Sequence, residues 1–500
     1  MVCIFLRNFL TYWHEMAKLK NIIKQLSEKD FKVIYDSLLD SNAEKSAYLL
    51  KSLRERQLSD SKIIVELGVN ANAYYTLRSR LNQKIEEHLL QQMESPRTDL
   101  LRKVANLNEV LFSQNRTISI ATLKKLEKEL TESDLANELT IVYKSLKKLH
   151  VNSPEFFHYS QLYNRHVAYM LAVDKAEDLL AEYSKKYGVY FLSADESEKL
   201  GLTLMVREMQ NVARLYESHR LYVYQSIMVV FHRLFVEKED NLQQEGESME
   251  DIFERVQKIF DTYKLDPLYY HINLVFEFLK LEYYNHYKVY RQAEKFYEEV
   301  NDAASSLLVN YSQYAFTSQF LISKVERHIR LASEPEMQQE NESMFEDFEQ
   351  DPLSLPNNVV YVTYKALSNY YVGKYDVAAK LINNLLNDMG LKKYPYVQIE
   401  IKTLLALQYC LLRDFELFTQ LTNSIQRQLR LLGKDDCENL LLFLKMLKIA
   451  TSESKKGKEK KISAVIPRLK LIELNYFAPT RLIKLDDKFI DSLAAIDSPE

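Results

Sequence analysis

Apolar residues recur at three- and four-residue spacing almost from end to end of this 500-residue chain. Leu19, Ile22, Ile23 and Leu26 form one such stripe, and Phe31, Ile34, Tyr35 and Leu38 form the next. Leu123, Leu126, Leu130 and Leu135 repeat the spacing, followed by Leu139, Val142, Tyr143, Leu146 and Leu149. That period gives a helix one apolar face and one polar face. No convincing alternation of apolar and polar residues supports a sheet. Val359 to Val362 is β-prone, but it leads into Tyr364, Leu367 and Tyr371 at helical spacing. The pattern predicts an all-α protein.

Breaks in the pattern are few. Ser95-Pro96 closes a first segment, and Asn152-Ser153-Pro154-Glu155 and Asp266-Pro267 place proline where helices start. Glu237 to Glu254 is acidic, and Glu334 to Asp351 holds eight acidic residues without a lysine or arginine. Both read as solvated insertions between helices. Ser452 to Lys461 carries Lys455, Lys456, Lys458, Lys460 and Lys461 and reads as an exposed connection. These breaks suggest a leader over 1–18, a small helical domain over 19–94, a helical array over 100–480 and a C-terminal tail over 481–500.

Composition narrows the chemistry. Eight glycines stand beside 34 tyrosines. Phosphate loops and tight hairpins consume glycine, because it reaches positive φ at little cost. The net charge of −4 argues against a general nucleic-acid coat. Cys3, Cys410 and Cys437 are scattered and form no Cys-x-x-Cys pair, which fits a reducing compartment. A cytoplasmic location follows as an expectation. Val2 to Trp13 is apolar but is interrupted by Arg7 and is too short to span a bilayer. A start at Met16, with clean amphipathic helix after it, is the simpler reading. A weak interfacial anchor is the alternative. No stable membrane insertion is expected.

One stretch has the form of a repeat unit. Ser368 to Ala379 places an aromatic-rich helix before Gly373, then Tyr375, then Ala378. Gly373 can end the first helix in a left-handed conformation, and Ala378 is small enough for two helices to cross closely. This resembles the central part of a tetratricopeptide repeat, over about 35 residues. Weaker echoes lie at Tyr287 to Tyr297, with Ala293, and at Leu412 to Phe418, where Phe418 replaces the alanine. Ala168 to Leu180, with Ala176, is weaker still. The resemblance implies a tetratricopeptide-like α-solenoid across 100–480.

A second stretch, Leu58 to Leu81, combines a cap at Ser59 or Asp60, apolar Ile63, Ile64 and Leu67, a turn at Gly68, and apolar Tyr74, Leu77 and Leu81. It resembles the C-terminal helix-turn-helix of bacterial sigma factors. That resemblance implies DNA contact through residues 58–85. Asn72, Tyr75, Thr76 and Ser79 would face bases, and Arg78, Arg80 and Lys84 would meet phosphates. Ile64 departs from the usual alanine, and Glu86 and Glu87 would repel phosphate. A cap on the array or a protein-docking module is the competing reading.

Signature motifs for nucleotide binding, zinc proteolysis and serine hydrolysis do not occur. Glu155-Phe156-Phe157-His158 has di-iron spacing but lacks partner copies, and reads as a helix start. His158 and His166 share a helical face at most. No cofactor, metal or catalytic residue is assigned. The expected function is a non-enzymatic scaffold or adaptor that binds a protein or peptide partner. The alternative is a transcriptional regulator with a DNA-binding N-terminus and a helical-repeat sensor.

Overall fold

A computed structural model describes Ile23, Leu26 and residues 28–496, apart from 42, 56–59, 70–72, 75, 79, 83, 86–95, 114, 134, 217, 238–246, 264–266, 346–353, 433–436, 453–456 and 473. Among the described residues the chain is all-helical, with no strand. It forms two compact units, 1–167 and 168–500. The boundary between them falls inside the 100–480 stretch. The proposed leader over 1–18 lies outside the described residues.

The first unit holds two apolar clusters. Helices α1 (Glu28–Asp40), α2 (Glu44–Glu55) and α3 (Asp60–Leu67) bury Ile34, Leu38, Leu50, Leu53 and Ile63 with Tyr74, Leu81 and Ile85. Helices α4 (Pro96–Ala105), α5 (Leu107–Ser113), α6 (Arg116–Glu132) and α7 (Ala136–Leu149) build the second around Leu123, Leu126, Leu130, Val142 and Leu146. These are the positions the helical period marks. Asn115 caps α6 by accepting from the Thr117 amide. Helix α8 (Glu155–Ser193) follows and contains the boundary at 167/168.

The second unit continues with α9 (Glu196–Arg214), α10 (His219–Phe235), α11 (Met249–Thr262), α12 (Pro267–His286), α13 (Tyr290–Asp302), α14 (Ala304–Asn310), α15 (Gln319–Leu331) and α16 (Glu336–Met344). Then come α17 (Leu355–Tyr371), α18 (Tyr375–Leu386), α19 (Pro395–Leu411), α20 (Phe415–Leu432), α21 (Glu438–Ala450), α22 (Lys458–Ser463), α23 (Ile466–Leu471) and α24 (Asp487–Ala494). Consecutive helices pair as hairpins: α12 with α13, α15 with α16, α17 with α18, and α19 with α20. First helices also meet across hairpins, α10 on α12, α12 on α15, α15 on α17 and α19 on α21. They are accordingly apolar on more than one side. In α10 the run from Ser226 to His232 is buried without interruption.

Three hairpins share one turn. Gly373 has φ +77°, its amide donates to Tyr370 O, and the Lys374 amide donates to Asn369 O. This is the Schellman arrangement that satisfies the last carbonyls of a helix. Lys288 (φ 58°) and Arg413 (φ 60°) adopt it as well, with Val289 donating to Tyr284 O and Asp414 to Tyr409 O. Two residues on, an aromatic opens the next helix: Tyr290, Tyr375 and Phe415. Five residues on, Ala293, Ala378 and Phe418 are buried where the paired helices cross. The three segments singled out by sequence thus have one backbone solution, and only one of them uses glycine.

Two sequence expectations are corrected. The acidic stretch from Glu334 is not simply a solvated insertion. It contains α16, which buries Met337, Asn341 and Met344, and Glu334 itself is buried. The lysine run is not wholly exposed, because Lys458 is buried and donates to Ala450 O and Ile496 O. The C-terminal tail expected over 481–500 carries a helix, α24, which buries Phe489 and Leu493.

Candidate functional site

Between α23 and α24 the chain runs without α-helix from Leu474 to Asp486, broken only by a 3-10 turn at Pro479–Leu482. This strap lies against α8, α17, α19 and α21. It is held by side chains that read its backbone. The Tyr371 hydroxyl, at the end of α17, donates to Leu482 O at 2.6 Å and accepts from the Lys484 amide at 3.0 Å. One phenol therefore satisfies a carbonyl and an amide two residues apart. The Phe477 amide donates to Phe191 O at 3.1 Å, and the two rings stack at 5.0 Å.

Glu400, in α19, is the second anchor. It is fully buried. One carboxylate oxygen accepts from Thr480 Oγ1 at 2.6 Å and from the Thr480 amide at 3.3 Å. The other accepts from Asn439 Nδ2 at 2.5 Å. Burial pushes the Glu400 carboxyl up to about 7, although the bonds from Thr480 and Asn439 oppose that rise. Asn439 and Tyr396 complete the seat. Tyr476 stacks on Tyr396 at 5.2 Å, and Lys484 pairs with Glu334. Tyr371, Tyr396 and Tyr476 are part of the tyrosine richness visible in the sequence. Their meeting with Thr480 and Glu400 carried no signal there, because no local spacing relates residue 400 to residue 480.

The residues proposed for DNA contact are placed as follows. Gly68 is left-handed (φ 60°), and the Val69 amide donates to Ile64 O, so the turn after α3 is the one expected. Tyr74, Leu77 and Leu81 lie against the first apolar cluster. Thr76 and Arg80 are exposed, and Lys84 is half-buried. Arg78 is only 6% exposed. It shares the inward side of its helix with Tyr74 and Leu81, so it does not join a phosphate-facing set. Asn72, Tyr75 and Ser79 lie outside the described residues.

A further polar cluster lies between α15 and α16. His328, Glu336 and Glu340 bring donor atoms within 4.8 Å of one another, an arrangement a cation could use. Lys324 fills that role already. Its ammonium is fully buried, pairs with Glu340 and donates to Asn301 Oδ1 at 2.5 Å. Burial opposes the ionised form of Glu340, but the bonds from His328 and Lys324 hold its carboxyl down to about 2. A dication would have to displace a bonded ammonium, so this cluster is an internal ion pair. Cys410 is buried with its thiol pushed up to about 12, which suits a core residue rather than a nucleophile. His158 and His166 face different partners: His158 packs beside Tyr159, and His166 against Tyr143 with its Nδ1 on Leu162 O.

No protein family matches this chain, and no curated protein or solved structure is similar to it. Among the described residues, no helix is long and apolar enough to cross a membrane.

Proposed function

We propose that this chain is a non-enzymatic interaction scaffold, a divergent tetratricopeptide-like solenoid whose stacked hairpins hold extended peptide segments. The observation that carries this reading is the strap. Tyr371, Glu400 and Phe191 grip residues 477–484 largely through backbone groups, which is how a helical stack holds a peptide of loosely defined sequence. The recurrence of one turn at Lys288, Gly373 and Arg413 supports the solenoid reading, with Gly373, Tyr375 and Ala378 as its best-formed repeat turn. Stacking of each hairpin on its neighbours supports it too.

The test uses the folded full chain. A protease site is placed after Leu471, which is 82% exposed, and the chain is cut. Labelled peptide 472–500 is then titrated against the nicked protein by fluorescence anisotropy. Saturable exchange that weakens with Tyr371→Phe supports a peptide-holding stack. A segment that leaves but never rebinds to a still-folded stack would sink the idea.

The regulator alternative rests on the turn at Gly68 and on the exposed Arg80. Burial of Arg78 weakens it. Full-length protein titrated with mixed duplex DNA at low and moderate salt decides the matter. Salt-sensitive binding lost with Arg80→Ala and Lys84→Ala favours the regulator.

A further inference from the structure

The flank of α21 beside its core face forms an open groove of about 400 Å³ with α20 and α22. Leu441 and Ile449 line it with the buried Leu444 beneath, beside the exposed Lys445, Lys448 and Lys461. Positions 441, 444, 445, 448 and 449 recur at three and four residues, so they share one helical face. Leu441 is 37% exposed, although α21 has a complete buried face of its own in Leu440, Phe443, Leu447 and Ala450. Among the described residues, none of the three lysines is in an ion pair. The nearby Glu438 is tied to Arg468. Glu459, on α22, makes no ion pair with them. On a chain of net charge −4, this is a local reversal of sign.

We propose that this groove docks an acidic amphipathic segment of a partner protein, with leucine-like side chains on the floor and carboxylates on Lys445, Lys448 and Lys461. Charge complementarity selects the occupant. An apolar floor between ammonium groups matches a helix that carries apolar and acidic residues one turn apart. Nucleic acid fits less well, because the groove presents neither an aromatic ring for base stacking nor an arginine fork for phosphate. The site is separate from the strap and stands whether or not the strap can be exchanged.

The test titrates full-length protein with a fluorescein-labelled synthetic helix of about 14 residues, bearing glutamates at helical spacing beside two leucines. Saturable binding is expected, falling as salt rises. Lys445→Glu with Lys448→Glu should weaken it about tenfold or more while the circular dichroism of the protein is unchanged. The same variant should gain affinity for a peptide with lysines in place of the glutamates. Three results overturn the proposal: equal binding of a glutamine-for-glutamate peptide, no effect of charge reversal, or displacement of the peptide by a single-stranded oligonucleotide of equal charge at lower concentration.

Discussion

Glu282 shows what one buried carboxyl does to this protein. It lies in α12, accepts from Ser323 Oγ at 2.8 Å, and its other oxygen has no hydrogen-bond partner. Burial pushes its pKa from 4.5 to about 8, against the pull of the Ser323 bond. Between those two values the folded chain holds a proton that the unfolded chain has released, so stability falls as pH rises through that window. Glu282→Gln removes the titration. Its melting temperature should match the parent below pH 4.5 and exceed it increasingly up to about 8, by several degrees. A constant offset at all pH values would contradict this. Backbone strain offers a second test at this scale. Lys288 is exposed and left-handed, so Lys288→Gly should stabilise the chain by about 0.5–1 kcal/mol in urea unfolding. Gly373→Ala should cost about as much, and for backbone reasons alone, since a Cβ there meets nothing within 4 Å. The sequence marks Gly373 as a turn by its glycine but Lys288 and Arg413 only by the weaker echoes around them, because a left-handed cap set by packing leaves no glycine to see.

Helix against helix, Gly188 in α8 marks a close approach. A Cβ there would lie 2.9 Å from Pro356 Cβ and 3.2 Å from the Phe316 ring. Tyr187 beside it is enclosed by Phe191, Phe231, Phe235 and Phe316. Such a site cannot take a methyl without moving a ring or a helix. Gly188→Ala should cost about 1–3 kcal/mol, and a neutral result in urea unfolding would show that α17 shifts freely. Helices and their buried faces are legible because apolar period and burial have a common cause. Leu123, Leu126 and Leu130 are read correctly for that reason. Helix α16 escapes the reading because its charge obscures a stripe of Met337, Asn341 and Met344. Arg78 escapes it because residue type suggests a surface while helical phase puts it inside. The strap is invisible from sequence, as its seat is assembled from four distant helices.

For the molecule as a whole, the strap matters more than its length suggests. A stack of hairpins has mainly neighbour contacts, and such arrays lose cooperativity readily. Here Phe477 reaches Phe191, Lys484 reaches Glu334 and Tyr371, and Thr480 reaches Glu400. Tyr371→Phe with Thr480→Val leaves the Leu482 carbonyl and the Lys484 amide short of a partner and takes the hydroxyl bond from Glu400, at about 1–3 kcal/mol for each buried group. Hydrogen exchange at residues 477–484 should quicken, and the urea transition should broaden as hairpins begin to unfold separately. An unchanged transition would mean that the hairpins cohere without the strap. Force gives the same bonds another meaning. Tension applied at Glu500 reaches α24 and the strap before any hairpin, so the molecule should give way there first, in one short extension. Pulled instead from residue 168, the stack remains cross-tied at Phe191, Glu334, Tyr371 and Glu400, and it should resist until those ties break together.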